Sequence, residues 1–341
     1  MAQVLVTGAS GFIGYHLVKT LVARGDQVTC LVRRTSKLEL LEPFRVTFAY
    51  GDVADPKSLI AAVAGKSIVY HVAGCNKALS RRQLHLVNEE GCRNMAQACA
   101  LQSDPPVLLV VSSLAAAGPS PKGRPRTELD PAQPVSCYGR SKRAGELAVE
   151  QFARQVPITI VRPAIVLGEA DPVSLALFQS VKRLGVHFVV GLRPRQFSVI
   201  HAADLAELLI LAAERGSRLV HPAERTDQAS QAQGTYFGTS EEHPSFGQLG
   251  RMIGEAMGRR FTLVIPIAVP VAWVAAALAE LVGQLVRQPF TFRLDKFREA
   301  SARSWVCSPQ KAMQELGFRV SAPLAERLRQ TAEWYRAQKW L

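Results

Sequence analysis

Gln3-Val-Leu-Val-Thr-Gly-Ala-Ser-Gly-Phe-Ile-Gly14 is the stretch that decides the fold. Residues 4–7 form a short β-rich run, three glycines follow at positions 8, 11 and 14, and residues 12–23 are amphipathic. This order predicts a strand, a tight turn and a helix, the opening of a dinucleotide-binding βαβ unit. Gly8 makes the turn, Gly11 lets the backbone approach a pyrophosphate, and Gly14 lets the helix pack closely on the strand. The helix N-terminus then faces the phosphates with free N–H groups. Gly8, Ser10, Gly11, Phe12, Ile13 and Gly14 are therefore expected to hold a cofactor.

Outward from this stretch, Arg24-Gly25 stops the helix and residues 27–32 are a second buried strand ending in Arg33-Arg34. An acidic residue at that strand end binds the free 2′-hydroxyl of NAD, whereas arginine accommodates the 2′-phosphate of NADP. Arg33 and Arg34 are forked donors suited to phosphate, so NADP is the expected cofactor and NAD the second choice. The alternative is a pair of solvated loop arginines. Strands are predicted at 46–50, 67–72, 107–112 and 158–162, with helices over 56–64 and about 83–101 and again from Gly139. Strands alternating with helices mean an α/β chain with a Rossmann-type, doubly wound parallel sheet. Residues 1–168 are assigned to the dinucleotide-binding domain. Residues 169–341 are assigned to a smaller, mostly helical substrate-binding region, with returns to the core around 195–220 and 235–239. Pro-rich residues 119–134 read as a loop over the site, and 221–234 as a mobile surface loop. Further helices are expected at 245–257, at 308–316 with a stop at Gly317, and at 324–340 with Trp334, Tyr335 and Trp340 as anchors. No internal repeat is present.

With 48% hydrophobic and 20% charged residues among 341, the chain has an ordinary soluble composition and room for one large or two smaller units. Lys and Arg exceed Asp and Glu by 13, which favours anionic ligands. The arginines are scattered and no basic run is interleaved with aromatics, so nucleic acid is not an expected partner. The plainer reading is a solvated basic surface. Six cysteines show no CxxC pair or metal-ligand spacing, so no metal is expected and a reducing compartment suits them. Met1 runs almost at once into the first strand, leaving no signal peptide and making a cytoplasmic location the expectation. Residues 261–279 carry no charge. Pro266 and Pro270 interrupt them, which predicts a short strand and then a helix covering the substrate pocket. A peripheral membrane contact through 264–286 is the second reading.

Tyr138-Gly-Arg-Ser-Lys142 is the chemical signal. Residues four apart on a helix share a face. A phenol with an unperturbed pKa of about 10 is a poor base at neutral pH, and a nearby ammonium favours its phenolate. Such a pair is otherwise an ordinary feature of a helix surface; here it follows five strands opened by a glycine turn. Ser112 and Ser113 end the fifth strand, where ligands of a parallel sheet bind. A serine there can hydrogen-bond a substrate oxygen; the alternative is that both simply cap the strand end and the turn.

With these residues the chain resembles an extended short-chain dehydrogenase/reductase, of the NAD-dependent epimerase/dehydratase superfamily. The resemblance rests on Thr7-Gly-Ala-Ser-Gly-Phe-Ile-Gly14, Gly51-Asp52, His71-Val-Ala-Gly74, Ser112-Ser113, Tyr138 with Lys142, Arg162-Pro163 and Val199-Ile-His-Ala-Ala-Asp204. It reaches the chain's close at Lys311 to Gly317 and Glu333-Trp-Tyr335. It implies Tyr138 as general acid/base, Lys142 as its partner and ribose ligand, and Ser113 as the substrate-oxygen ligand. Asp52, with Val53, would meet the adenine; Ala73, Gly74 and Ser112 would border the cofactor, and Pro163 would pack on the nicotinamide. A homodimer is also implied.

Two departures direct the choice within the family. UDP-sugar epimerases carry an arginine seven positions before the aspartate matching Asp204, and here that residue is Phe197. Arg195 would substitute only if the loop shifts. Ser113 is followed by Leu and three Ala, with no hydroxyl for a sugar. The chain is thus more similar to the dihydroflavonol reductase and 3β-hydroxysteroid dehydrogenase branch, which implies hydride transfer to or from a carbonyl or alcohol of an apolar, cyclic substrate. The alternatives are a nucleotide-sugar epimerase or dehydratase with held NAD, and a non-catalytic NADP-sensing protein.

Overall fold

The computed structural model describes residues 1–285, 294–302 and 304–341. The first unit runs β1 Gln3–Thr7, α1 Phe12–Ala23, β2 Gln27–Val32, β3 Thr47–Tyr50, α2 Lys57–Val63 and β4 Ile68–His71. It continues with α3 Arg81–His85, α4 Gly91–Ala100, β5 Val107–Val111, α5 Leu114–Ala117, α6 Cys137–Glu150 and β6 Ile158–Pro163. The rest comprises β7 Ile165–Leu167, α7 Pro172–Leu184, β8 Val186–Val190, β9 Val199–His201, α8 Ala202–Arg215, α9 Gln228–Ala232 and β10 Thr235–Gly238. It closes with α10 Phe246–Ala256, β11 Leu263–Ile267, α11 Val269–Leu285, α12 Leu294–Ser301, α13 Gln310–Leu316 and α14 Leu324–Ala337.

Seven parallel strands form one sheet in the order β10-β6-β5-β4-β1-β2-β3, a Rossmann-type doubly wound sheet. Its strands are apolar on both faces because helices cover both. Val4 and Val6 of β1 join Leu17 and Leu21 of α1 and Leu205 and Leu209 of α8, whereas Leu5 joins Leu59, Met95 and Val149 on the opposite face. The alternation of side chains along a strand divides one hydrophobic run between two cores. The C-terminal region is mostly helical and has its own core around Phe178, Phe197, Leu249, Leu328 and Tyr335. Cys30, Cys92, Cys99 and Cys307 are buried, and burial pushes their thiols up to about 11 or 12, as befits small core hydrophobes.

Three elements differ from the expectation. The helix predicted from about 83 to 101 starts at Arg81 and passes through a π-helical turn, Leu86–Glu90, before α4. Residues 221–234 hold a 3₁₀ turn, Pro222–Glu224, and α9, where Asp227 and Ser230 cap each other's backbone and supply a helix start that composition hides. The last helix ends at Ala337 rather than at 340, and Trp340 turns back to stack on Tyr335 with centroids 5.9 Å apart. The strand and helix expected after residue 261 are β11 and α11, although residue 286 at the end of the apolar segment lies outside the described residues.

The glycine turn is set by contact distance. A Cβ on Gly14 would stand 2.1 Å from the Gly8 carbonyl oxygen, so α1 lies directly on its own turn. Gly14→Ala is expected to lower stability by about 2–3 kcal/mol through this overpacking, read as a shift of the urea midpoint at constant slope.

Candidate active site

The crevice opens where the strand order reverses, between β1 and β4, the usual ligand position in an open α/β sheet. Gly8 there has φ +67°, open to glycine at little cost, and a Cβ on it would meet the Ala73 nitrogen at 2.8 Å. The loops after β1 and β4 therefore touch through bare backbone. Thr7 holds them together: its Oγ1 accepts from the Ala73 N–H at 3.0 Å and lies 3.1 Å from His71 Nδ1. Burial, with the Lys142 charge adding to it, pushes His71 down to about 3, so its ring is neutral at physiological pH.

The N-terminus of α1 begins at Gly11 without a side-chain cap or a first-turn carboxylate. Its leading N–H groups, from Phe12 and Ile13 onward, are open to an anion, and Ser10 stands beside them, partly exposed. The fit to a dinucleotide continues along the sheet. Arg33 and Arg34 are exposed just past β2, with the Arg34 guanidinium 5.4 Å above the Tyr50 ring. Asp52 is half-buried after β3, and among the described residues its carboxylate accepts only the Ala54 N–H, at 3.0 Å. Val53 is buried against Gly91 in α4, and its carbonyl accepts from Asn94 at 2.9 Å.

Helix α6 carries Tyr138 and Lys142. Two glycines let it approach: a Cβ on Gly139 would lie 2.3 Å from the Ala115 carbonyl oxygen, and one on Gly145 would lie 2.0 Å from that of Asn88. Lys142 is buried, donates to the Val111 carbonyl at 2.7 Å, and places its Nζ 3.5 Å from where a Gly74 Cβ would stand. Its ammonium has three donors, so two more remain for the Gly74 side. Tyr138 is half-buried one turn away. Ser113 caps α5, its Oγ accepting from the Ala115 N–H at 3.1 Å while the hydroxyl proton stays available. Ser112 points elsewhere: its hydroxyl donates to Glu146 at 2.5 Å. Pro163 ends β6 beside Gly238 of β10.

Two supports escaped the sequence reading. Asn88, buried in the π turn, donates to the Cys75 carbonyl at 2.8 Å and to Ser141 at 2.9 Å, and accepts from the Cys75 N–H at 2.8 Å. It thereby joins the loop after β4 to α6. An asparagine inside a helical run was its only trace, as poor helix formers often mark an irregular turn. The second is α12, whose Asp295 accepts from the N–H groups of Cys137 at 2.6 Å and Tyr138 at 3.2 Å, while the Ser136 hydroxyl donates to Glu299 at 2.5 Å. Burial alone would raise the Asp295 carboxyl, and these N–H groups outweigh it and hold it below the usual carboxylate range. Segments about 160 residues away in sequence gave no local sign of this cap.

Beneath the site lies an ion network. Glu146 on α6 accepts from Arg162 Nε at 2.8 Å and Nη2 at 2.7 Å, and from Arg143 at 2.9 Å. Burial alone would raise its carboxyl, and the Arg162 guanidinium above all reverses this and holds it at about 2. The predicted epimerase position is occupied differently: Phe197 is 2% exposed and packs on Phe246 with centroids 4.3 Å apart, while Arg195 donates to the Ala300 carbonyl. A cavity of about 760 Å³ lies beyond α12, lined by residues 191–195, 268–270 and Ser301.

Comparison with known proteins agrees with this geometry. The model of the NAD-dependent epimerase/dehydratase family matches residues 4–224. Ceramide reductase of Caulobacter vibrioides is 30% identical over 99% of this chain and 96% of its own. Sterol demethylase protein B of Methylococcus capsulatus is 28% identical over 88% of this chain and 87% of its own. The fold is shared with UDP-glucose 4-epimerase of Thermotoga maritima, at a TM-score of 0.77 and 21% identity over 99% of each chain.

Glu146→Gln should leave two guanidinium groups without their shared carboxylate and cost about 3–5 kcal/mol at neutral pH. A carboxyl depressed from 4.5 to about 2 contributes its stability above the higher value and loses it as pH falls toward the lower. The stability gap between wild type and variant, from urea titrations, should hold constant above about pH 5 and close progressively below 4.5.

Proposed function

The chain belongs to the NAD-dependent epimerase/dehydratase family, and we propose that within it the protein is an NADP-dependent oxidoreductase acting on a carbonyl or alcohol of an apolar, lipid-like substrate. The observation that carries this reading is the position of Lys142, tied to the end of β5 through Val111 and facing Gly74 at the end of β4, one helical turn from Tyr138. Gly8 to Gly14 and the open N-terminus of α1 would hold the pyrophosphate, Asp52 the adenine, and Arg33 and Arg34 the 2′-phosphate. The Arg33 side chain has no ion-pair partner among the described residues, which leaves its fork open for such a group. Ala73 and Gly74 would border the ribose on the side of Lys142, and Pro163 the nicotinamide.

When bound, the nicotinamide supplies or accepts the hydride at the substrate carbon. Tyr138 exchanges the proton with the substrate oxygen, and the Ser113 hydroxyl donates a hydrogen bond to that oxygen and fixes its position. The buried Ser112 takes no part in this exchange, because its proton goes to Glu146. An apolar substrate is favoured by Leu114 to Ala117, which follow Ser113 without a hydroxyl, and by the locked Phe197–Phe246 pair at the place where a diphosphate would need a cation. The names of the two relatives matched over most of their length, a ceramide reductase and a sterol demethylase protein, point the same way. The nucleotide-sugar reading lacks that cation, and the sensor reading leaves the Tyr138–Lys142 pair without a task.

Tyr138→Phe should reduce NADPH-dependent turnover of a long-chain or steroidal ketone by about a hundredfold or more, with the NADPH thermal shift retained. Undiminished turnover would remove Tyr138 from the chemistry. A double change of Arg33 and Arg34 to alanine should lower kcat/KM for NADPH by about tenfold or more while leaving that for NADH nearly unchanged. A wild type that prefers NADH in the same assay would overturn the cofactor assignment.

A further inference from the structure

We propose that the unit formed by β8, β11 and α11 docks the protein peripherally on an anionic bilayer. Ten of the twenty-one large hydrophobic side chains exposed among the described residues belong to just two stretches, 172–203 and 256–279, and seven of these ten, Phe188, Leu192, Leu263, Val271, Trp273, Val274 and Leu278, lie on this unit or in the turn leaving β8. Such clustering is what distinguishes an interaction face from ordinary scattered exposure. Strands β8 and β11 pair in parallel, and the chain passes from β11 straight into α11. On α11, Ala272 faces inward against Phe297, whereas Val271, Trp273, Val274 and Leu278 are exposed around the rest of the helix. Leu192, in the turn leaving β8, is 77% exposed beside the start of α11.

Charge selects the occupant. The same two stretches contain six cations, Lys182, Arg183, Arg193, Arg195, Arg259 and Arg260, against carboxylates only at their borders, Asp171, Asp204, Glu255 and the Glu280 of α11. None of the six forms an ion pair among the described residues, and Arg259 and Arg195 donate only to the carbonyls of Lys182 and Ala300. Exposed apolar side chains flanked by unpaired cations match the boundary between acyl chains and anionic headgroups, where tryptophan also settles. A second copy of the chain would instead bring like charges together across a two-fold interface. Among the described residues no helix is long and apolar enough to cross a membrane, so the contact is one of a face lying on the surface. The inference does not rest on the proposed reaction. The two meet at the 760 Å³ cavity, whose walls at 191–195 and 268–270 belong to the docking unit and whose Ser301 belongs to α12.

The test is sedimentation of the full chain with vesicles of phosphatidylcholine mixed with phosphatidylglycerol, and with vesicles of phosphatidylcholine alone. Wild type should pellet with the mixed vesicles at low salt, be released as salt rises, and bind the neutral vesicles several-fold less. A variant carrying Val274→Glu and Leu278→Glu should lose about tenfold in bound fraction with an unchanged unfolding midpoint, because both side chains are exposed. A second variant, Arg193, Arg259 and Arg260 changed to glutamine, should lose the preference for anionic lipid. Wild type that stays in the supernatant, or a glutamate variant that pellets like wild type, would overturn the proposal. So would a change of oligomeric state in ultracentrifugation on the two glutamate substitutions, which would assign the face to a second copy.

Discussion

The burial of Glu146 is the constraint that holds the site in place. A carboxylate in that position is tolerable only because Arg162 grips it with two nitrogens while Arg143 and Ser112 occupy the remaining lone pairs. Those partners come from β6, from α6 itself and from the end of β5, so the helix cannot rotate or slide without breaking charge-assisted bonds in a medium of low dielectric. The network continues outward, since Glu150 also accepts from Arg143 and from Arg225. Lys142 stands one turn before Glu146 and Tyr138 two turns before it, on a helix whose azimuth is thereby fixed.

Much of the first unit was legible because local physics and tertiary demand agree there. Thr7 to Gly14 reads correctly because a turn with positive φ at Gly8, and a helix so close that a Cβ on Gly14 would stand 2.1 Å from the Gly8 oxygen, admit almost no other residues. The strands read correctly because burial on both faces makes them continuous hydrophobic runs. Tyr138 and Lys142 stand out by their four-residue spacing, and the structure places the lysine between the ends of β4 and β5. Ser112 shows the limit of that reading. Adjacent residues at a strand end point opposite ways: the resemblance chose Ser113 as the substrate ligand but also set Ser112 beside the cofactor, and the Ser112 hydroxyl turns to Glu146 instead.

What stayed hidden depends on contacts between distant segments. Asn88 supports the crevice only because a π turn carries it between Cys75 and Ser141, and a π turn has no periodicity of its own to betray it. The capping box that orders α9 was written in Asp227 and Ser230, but polar, alanine-containing surroundings masked it as loop. Beyond residue 168 β10 returns to the main sheet beside β6 while β8 and β11 pair only with each other, so each element takes its place from neighbours far along the chain.

The cap supplied by α12 ties the two regions together at the start of α6. The first turn of α6 exposes N–H groups and the positive end of the helix dipole, and a carboxylate is the natural complement. Ser136 meets part of that demand by accepting from Gly139, yet the Cys137 and Tyr138 N–H groups are satisfied by Asp295, from the far region of the chain. The backbone of Tyr138 is therefore held from the side of α12, while its helix is held from the sheet side by Glu146. Any displacement of α12, which also borders the cavity through Ser301, must act first on the residue expected to move the proton. Two regions divide the sequence, and α6, which carries Tyr138 and Lys142, is the helix that both of them clamp.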